Sequence, residues 1–198
     1  MAGTDADVID ALVGITPGSP LDGIRARRPQ ARAHAQATYR ALFEPAAPGR
    51  FTVAERLLVG VFVAGLHGEA AVADHLAARL VASGAPAAHR EAIAAAVAAA
   101  GGRGPYGRYP AGPLSREDAA GPRYRAGAAT RGALGPRMAA ALEHAHLLVF
   151  HPRDAAPTDL QALLDAGWST TEIVTLSQLV AFLAFQIRVV AGLRQISA

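Results

Sequence analysis

Residues 52–84, TVAERLLVGVFVAGLHGEAAVADHLAARLVASG, constrain the fold more than any other part of this chain. Thr52-x-x-Glu55 is a capping box: the threonine hydroxyl takes an orphan amide of the first turn, and the glutamate reaches back to the threonine amide. The run behind it, 57–66, is nearly all apolar, so this helix has to be covered on most sides. It is too short to cross a bilayer. Gly68 breaks the run, and a second helix is predicted over about 69–82, ending at Ser83-Gly84.

What covers such a helix must come from the rest of the chain, and the rest reads as helix too. The hydrophobic fraction of 52% is mostly alanine and leucine at helical spacing, with only 6% aromatic residues. Runs rich in Val, Ile, Thr and Tyr with a period of two are scarce. An all-α fold follows, and 198 residues make one domain or two small, intimately packed halves.

Before the central pair, the spacing predicts a short helix with an apolar stripe at Val8, Ile9, Leu12 and Val13. A Pro/Gly/Ser turn follows, then a longer helix that Pro29 opens or interrupts, with Ala35, Tyr39, Leu42 and Phe43 inward. Residues 87–100 form an Ala-rich helix. The grammar then changes: 101–137 hold nine glycines and five prolines, which forbids one continuous helix. We read 101–136 as a Gly/Pro/Arg-rich connector, with a short helix near 115–120, between an N-terminal half (1–100) and a C-terminal half (137–198). A connector this long is either functional or mobile. Helices are predicted over 137–150 and 158–166. A second capping box, Ser169-x-x-Glu172, starts a final helix that reaches about residue 194 with little polar face. That helix belongs in the core or at a subunit interface. Ser177, Gln178, Gln186 and Arg188 within it argue against a membrane span.

Composition removes several function classes. The chain has no cysteine. Thiol peroxidase and disulfide-exchange chemistry both need a thiolate, and methionine, a thioether, only climbs to sulfoxide. All 19 basic residues are arginine, and the formal net charge is +3. The surplus is local: 101–137 carry seven arginines against Glu117 and Asp118. Tyr106, Tyr109 and Tyr124 lie among them, so an anion- or nucleic-acid-binding segment is one reading and a solvated loop the other. There is no GxSxG, no GxxxxGK[ST], and no GxGxxG after a strand. His144, His146 and His151 have no strong metal-ligand spacing, and neither metal nor cofactor is expected. No basic segment followed by an apolar one opens the chain, which makes the cytoplasm the expected compartment.

The pattern over 52–84 resembles the core signature of the carboxymuconolactone decarboxylase family, which includes the alkylhydroperoxidase D-like proteins. Its redox-active members carry a glutamate and, after a spacer, Cys-x-x-Cys-x-x-x-His. Glu55 and His75 fall on the acid and histidine positions, and Gly68 and Ala71 on the two cysteine positions. The C-terminal stretch is similar to the last helices of double-length, peroxidase-related members. It shares Ala166-Gly167-Trp168, Ser169-x-x-Glu172-Ile173-Val174 and Phe185-x-x-Arg188-Val189, while Ala184 and Ile187 replace common asparagines. The resemblance covers about 50–84 and 137–194, and the two Ser/Thr-x-x-Glu starts hint at an internal pseudo-repeat. It implies an alkylhydroperoxidase D-like fold, a homo-oligomer, and either a small-molecule substrate or a related subunit as partner.

Without sulfur, Glu55, His75 and His67 remain as candidates for acid/base chemistry on a small carbonyl or lactone, which needs proton relocation but no thiol. Each has a structural alternative: Glu55 as a cap, His75 as a hydrogen-bonded buried ring, His67 as the favourable cation at a helix C-terminus. The remaining alternative is a non-catalytic partner subunit of a related enzyme.

Overall fold

The structure, a computed structural model, describes residues 6–197. It is all-α. Among the described residues there are nine α-helices: α1 (Val8–Val13), α2 (Pro20–Ala26), α3 (Pro29–Phe43), α4 (Val53–His67), α5 (Ala70–Ala82), α6 (Ala87–Ala100), α7 (Ala128–Phe150), α8 (Pro157–Asp165) and α9 (Thr170–Ser197). The described residues include no strand, only an isolated bridge between Gly107 and Ala119.

α4 is the helix the others surround, as its apolar run requires. Val59, Phe62, Val63 and Ala64 are fully buried, and α3, α5, α6, α7 and α9 all pack on it. Two glycines permit that crowding. A Cβ on Gly65 would sit 2.6 Å from a Val97 methyl of α6, and one on Gly60 would sit 3.2 Å from Leu76 of α5. Gly68 ends α4 in the left-handed conformation (φ 69°), which glycine adopts without a Cβ penalty.

The turn at Gly68 makes α5 antiparallel to α4, with residues equally far from the turn side by side, as Gly60 and Leu76 are. α9 instead runs parallel to α4. Phe51 and Trp168, just before the two helices, meet edge to face at 4.9 Å. At the other end Arg194 pairs with Glu69 at 3.1 Å. The buried residues of α9, from Ile173 through Leu176, Leu179, Val180, Phe182, Leu183, Gln186, Ile187 and Val190 to Leu193, cover one side of the helix. By length and composition Thr170–Ile196 could cross a membrane, yet half of its most apolar window is buried inside the protein.

Two segments differ from the sequence reading. Residues 17–27 hold a helix of their own, α2, started by Ser19 as cap and Pro20 in the first turn. Pro29 opens α3. Buried Asp10 of α1 accepts hydrogen bonds from Arg25 and Arg32, which ties the first three helices together. The helix expected from Arg137 begins earlier, at Ala128, and Gly135 (φ 79°) with Pro136 kinks it before it continues. The kink explains the difference: proline cannot continue the hydrogen-bond ladder, but it can open a new segment.

The connector is pinned along its length. Tyr106 donates its amide to the Phe150 carbonyl at 2.5 Å, Arg108 to the Asp154 carboxylate at 3.1 Å and Tyr109 to Asp118 at 2.7 Å. Tyr124 is buried against Phe62 of α4, with ring centres 5.5 Å apart. The expected short helix is a 3-10 turn at Pro113–Glu117.

Candidate functional site

Both capping boxes form where the sequence places them. Glu55 accepts from the Thr52 amide at 2.8 Å and the Thr52 hydroxyl at 3.1 Å, and Glu172 accepts from the Ser169 amide at 2.8 Å. Because α4 and α9 start side by side, the two carboxylates lie close enough for one cation to bridge them. Arg137 does so, pairing with Glu55 and, at 3.0 Å, with Glu172. Its guanidinium stacks 3.9 Å from the centre of the Trp168 ring. Burial opposes ionisation of Glu172. The Ser169 amide and hydroxyl, with Arg137 and Arg50 nearby, outweigh it and hold the carboxyl below the usual carboxylate range.

Glu55 also lines a cleft of about 380 Å³ between the start of α4 and the loop joining α5 to α6. Leu58, Leu134 and Met138 form an apolar wall. Arg50, Thr52, Ser83 and His89 supply polar groups. The volume lies within the range of small-molecule sites. The side chain of His89, in the first turn of α6, makes no hydrogen bond to protein among the described residues, and neither does the exposed side chain of Arg50. Sequence reading missed both. Neither belongs to a motif, and only the antiparallel α4–α5 turn carries His89 back to the level of Glu55.

The same geometry separates Glu55 from His75. Counted from the turn, His75 stands level with Val61, roughly 9 Å along the helix from Glu55, and it faces α3. There its Nε2 meets the Tyr39 hydroxyl at 2.7 Å. Tyr39 in turn accepts from Arg79, which pairs with Glu44 at 3.2 Å. Burial, with Arg79 adding to it and Glu44 opposing, lowers the His75 pKa. A neutral ring accepting the tyrosine proton satisfies this arrangement. No hydrogen bond among the described residues joins His75 to Glu55, and His75 does not line the Glu55 cleft.

His67 is the last residue of α4, and its Nε2 is buried with no hydrogen-bond partner. Burial first, then Arg188, lowers its pKa. A ring so disposed is neutral, so it does not serve as a cation at the helix end. Gly68 forms the turn, and Ala71 lies in the first turn of α5.

The second histidine group is buried. His144 Nε2 lies 3.1 Å from the Ser177 hydroxyl, while its Nδ1 has no partner. Burial, opposed by Asp159, lowers its pKa. His146 accepts from the Tyr124 amide at 3.4 Å. Burial and the neighbouring His151, against a hydrogen bond to Ala100, push its pKa down to about 4. His151 is held between the Asp154 carboxylate at 3.0 Å and the Pro122 carbonyl at 2.9 Å. His146 and His151 anchor the connector to α7; His144 and His146 border a cavity of only about 50 Å³, while His151 lines an open cleft of about 820 Å³ with Arg108, Arg123 and Asp154. No group of three or more metal-ligating side chains occurs among the described residues.

Four of the seven arginines in 101–137 pair with carboxylates. Arg123 lies near Asp154 and Asp159, Arg125 and Arg131 share Glu143, and Arg137 bridges the two caps. Such pairing removes most of the local positive surplus that a phosphate backbone would need.

No protein-family model matches the chain, and no curated protein or solved structure matches it either.

Proposed function

We propose that this protein performs acid/base chemistry on a small carbonyl or lactone compound in the Glu55–His89 cleft, without a thiol. One observation carries the reading: an apolar wall (Leu58, Leu134, Met138) faces a carboxylate, an imidazole and an arginine within a single cleft of small-molecule size. His89 takes a proton from the carbon next to the substrate carbonyl and returns it. Arg50 meets the enolate oxygen that develops, and Glu55, oriented by Thr52 and Arg137, is the second proton-handling group. Compared with the expectation from the family pattern, His89 takes the place of His75. The resemblance to carboxymuconolactone decarboxylases, in which Glu55 holds the acid position, supports the same class of chemistry. The matching aromatic-Ser/Thr-x-x-Glu starts at Phe51 and Trp168 support a duplicated origin of the two halves.

The fixed contacts of Glu55 favour a second reading, in which the residue is purely structural and the chain is a non-catalytic partner of a related enzyme. Glu55→Gln and His89→Gln separate the two. Glutamine preserves a capping acceptor at 55 but cannot carry a proton. The assay follows deuterium uptake from D2O, and turnover, on a panel of small lactones and β-keto acids by NMR. Catalysis by the native chain that drops at least about 100-fold in both variants, within the usual span of acid/base effects, supports the proposal. A native chain inert across the panel, or variants as active as it, overturns it in favour of the partner reading.

A further inference from the structure

We propose that the cleft between the loop before α4 and the first turn of α9 binds a small phosphomonoester, with the phosphate between Arg50 and Arg56. The cleft holds about 390 Å³ and shares only Arg50 with the cleft that Glu55 lines. This inference is independent of the chemistry assigned to that other cleft. Two guanidinium groups, Arg50 and Arg56, and one carboxylate, Glu172, lie on its wall. Arg137 at 3.0 Å and the Ser169 amide at 2.8 Å already take that carboxylate. Arg50 stands near Glu172 without bonding to it, and neither lining guanidinium has an ion-pair partner among the described residues.

Arg56 is only 6% exposed, and a cation so far out of water is unfavourable without a counter-charge. Its N–H groups are not used up. Of the five on a guanidinium, the Phe51 carbonyl takes that of Nε, the Leu42 and Ala41 carbonyls those of Nη1, and the Pro48 carbonyl one of the two on Nη2. The other Nη2 proton has no acceptor among the described residues. The Thr171 hydroxyl, also on the cleft wall, makes no hydrogen bond there either, and the amides of Thr170 and Thr171 lack an acceptor. Those amides open α9, a helix of 28 residues, whose dipole adds to the attraction for an anion.

The ligand class follows from charge and donor count. Two guanidinium groups without counter-ions call for a dianion. The open donors, on Arg50, on Nη2 of Arg56 and on the Thr171 hydroxyl and amide, outnumber the two oxygens of a carboxylate. The three terminal oxygens of a phosphomonoester accommodate them, and Arg50, exposed and free to move, can close on the phosphate as a fork. The cleft has the volume of a small-molecule site rather than of a lone ion. Pro48 and Phe51 give the rest of its wall an apolar surface for the organic part.

Titration of the full chain with phenyl phosphate, followed by phosphorus NMR, tests this. The expected result is saturable binding that Arg50→Gln and Thr171→Glu each weaken by at least about 10-fold. His89→Gln, which alters the other cleft alone, should leave it unchanged. Thr171→Glu puts an acid in the first turn of α9, where it favours the helix, so its loss of binding reads the site and not the fold. Benzoate, followed by its proton signals, should bind at least about 10-fold more weakly than phenyl phosphate. No saturable binding up to about 10 mM, binding indifferent to Arg50→Gln and Thr171→Glu, equal loss in His89→Gln, or equal affinity for benzoate would each overturn the proposal.

Discussion

Arg137 and Trp168 hold each other reciprocally: the indole N–H donates to the Arg137 carbonyl at 2.9 Å, and the guanidinium stacks 3.9 Å from the centre of the same ring. Arg137 is thereby aimed between Glu55 and Glu172, the caps of two helices that start 117 positions apart in the chain. It joins the two halves of the protein at the helix ends that border the cleft.

Removing that cation leaves two partly buried carboxylates facing each other. Arg137→Met is expected to cost about 2–3 kcal/mol of stability, toward the lower end for breaking a buried pair because some solvent reaches the site. Arg137→Lys should recover only part of it, since a single ammonium cannot fork to both acids while lying flat on the indole. Urea denaturation of the three proteins checks the order native, Lys, Met.

Arg56 is a buried guanidinium with no carboxylate partner among the described residues. Its donors go to the Phe51 and Leu42 carbonyls, both at 2.9 Å, and to Pro48 at 3.2 Å, while burial lowers its pKa. It closes the C-terminal end of α3, where carbonyls lack helical partners. Arg56→Met should cost about 2–4 kcal/mol by leaving these acceptors unpaired. The thermal transition should fall accordingly, with α3 the first region to lose amide-exchange protection.

Gly65 sets the distance between α4 and α6. Gly65→Ala places a Cβ 2.6 and 2.8 Å from the two Val97 methyls, and overpacking of this kind costs about 1–3 kcal/mol. Val97→Ala should relieve it, so the double variant is expected to be more stable than the sum of the two single effects. Strict additivity in a double-mutant cycle would refute direct contact as the cause.

Acid should destabilise the fold from near pH 6.5 downward. His67, His75, His144 and His146 all have lowered pKa values through burial. The unfolded chain therefore takes up protons that the native state refuses, and stability falls as pH drops through the unfolded value. For His146, with a native pKa of about 4, the loss amounts to about 3 kcal/mol between pH 6.5 and 4 and levels off below that. Replacing His146 by Gln should flatten the slope of stability against pH over that window. An unchanged slope would show that His146 is not held neutral.

Local signals were legible and distant pairings were not. Both capping boxes, the stop at Gly68 and the helix over 87–100 appear as read, because a few neighbouring residues carry each signal. α2 went unread although Ser19-Pro20 marks its start, because seven residues show no periodicity. The connector looked free because its anchors, Asp154 for Arg108 and the Phe150 carbonyl for Tyr106, lie more than forty residues away. Glu55 was legible as a cap and as a candidate acid, but the histidine beside it was not. The spacing that resembles the family pattern pointed to His75, which meets Tyr39, while the antiparallel turn sets His89 in the cleft that Glu55 lines.

The sequence by itself determined that this chain is helical, where its principal helices begin and end, and that it contains no thiol to react. Propensity, capping and elemental composition are properties of short segments or of the whole list of residues. Only the tertiary structure decided which polar side chains share a space: Glu55 with His89 and Arg137, His75 with Tyr39, and the connector arginines with Glu143, Asp154 and Asp159. Those pairings depend on how the helices pack, with α4 and α5 antiparallel and α4 and α9 parallel, and burial of apolar faces fixes that packing without reference to the polar groups it brings together.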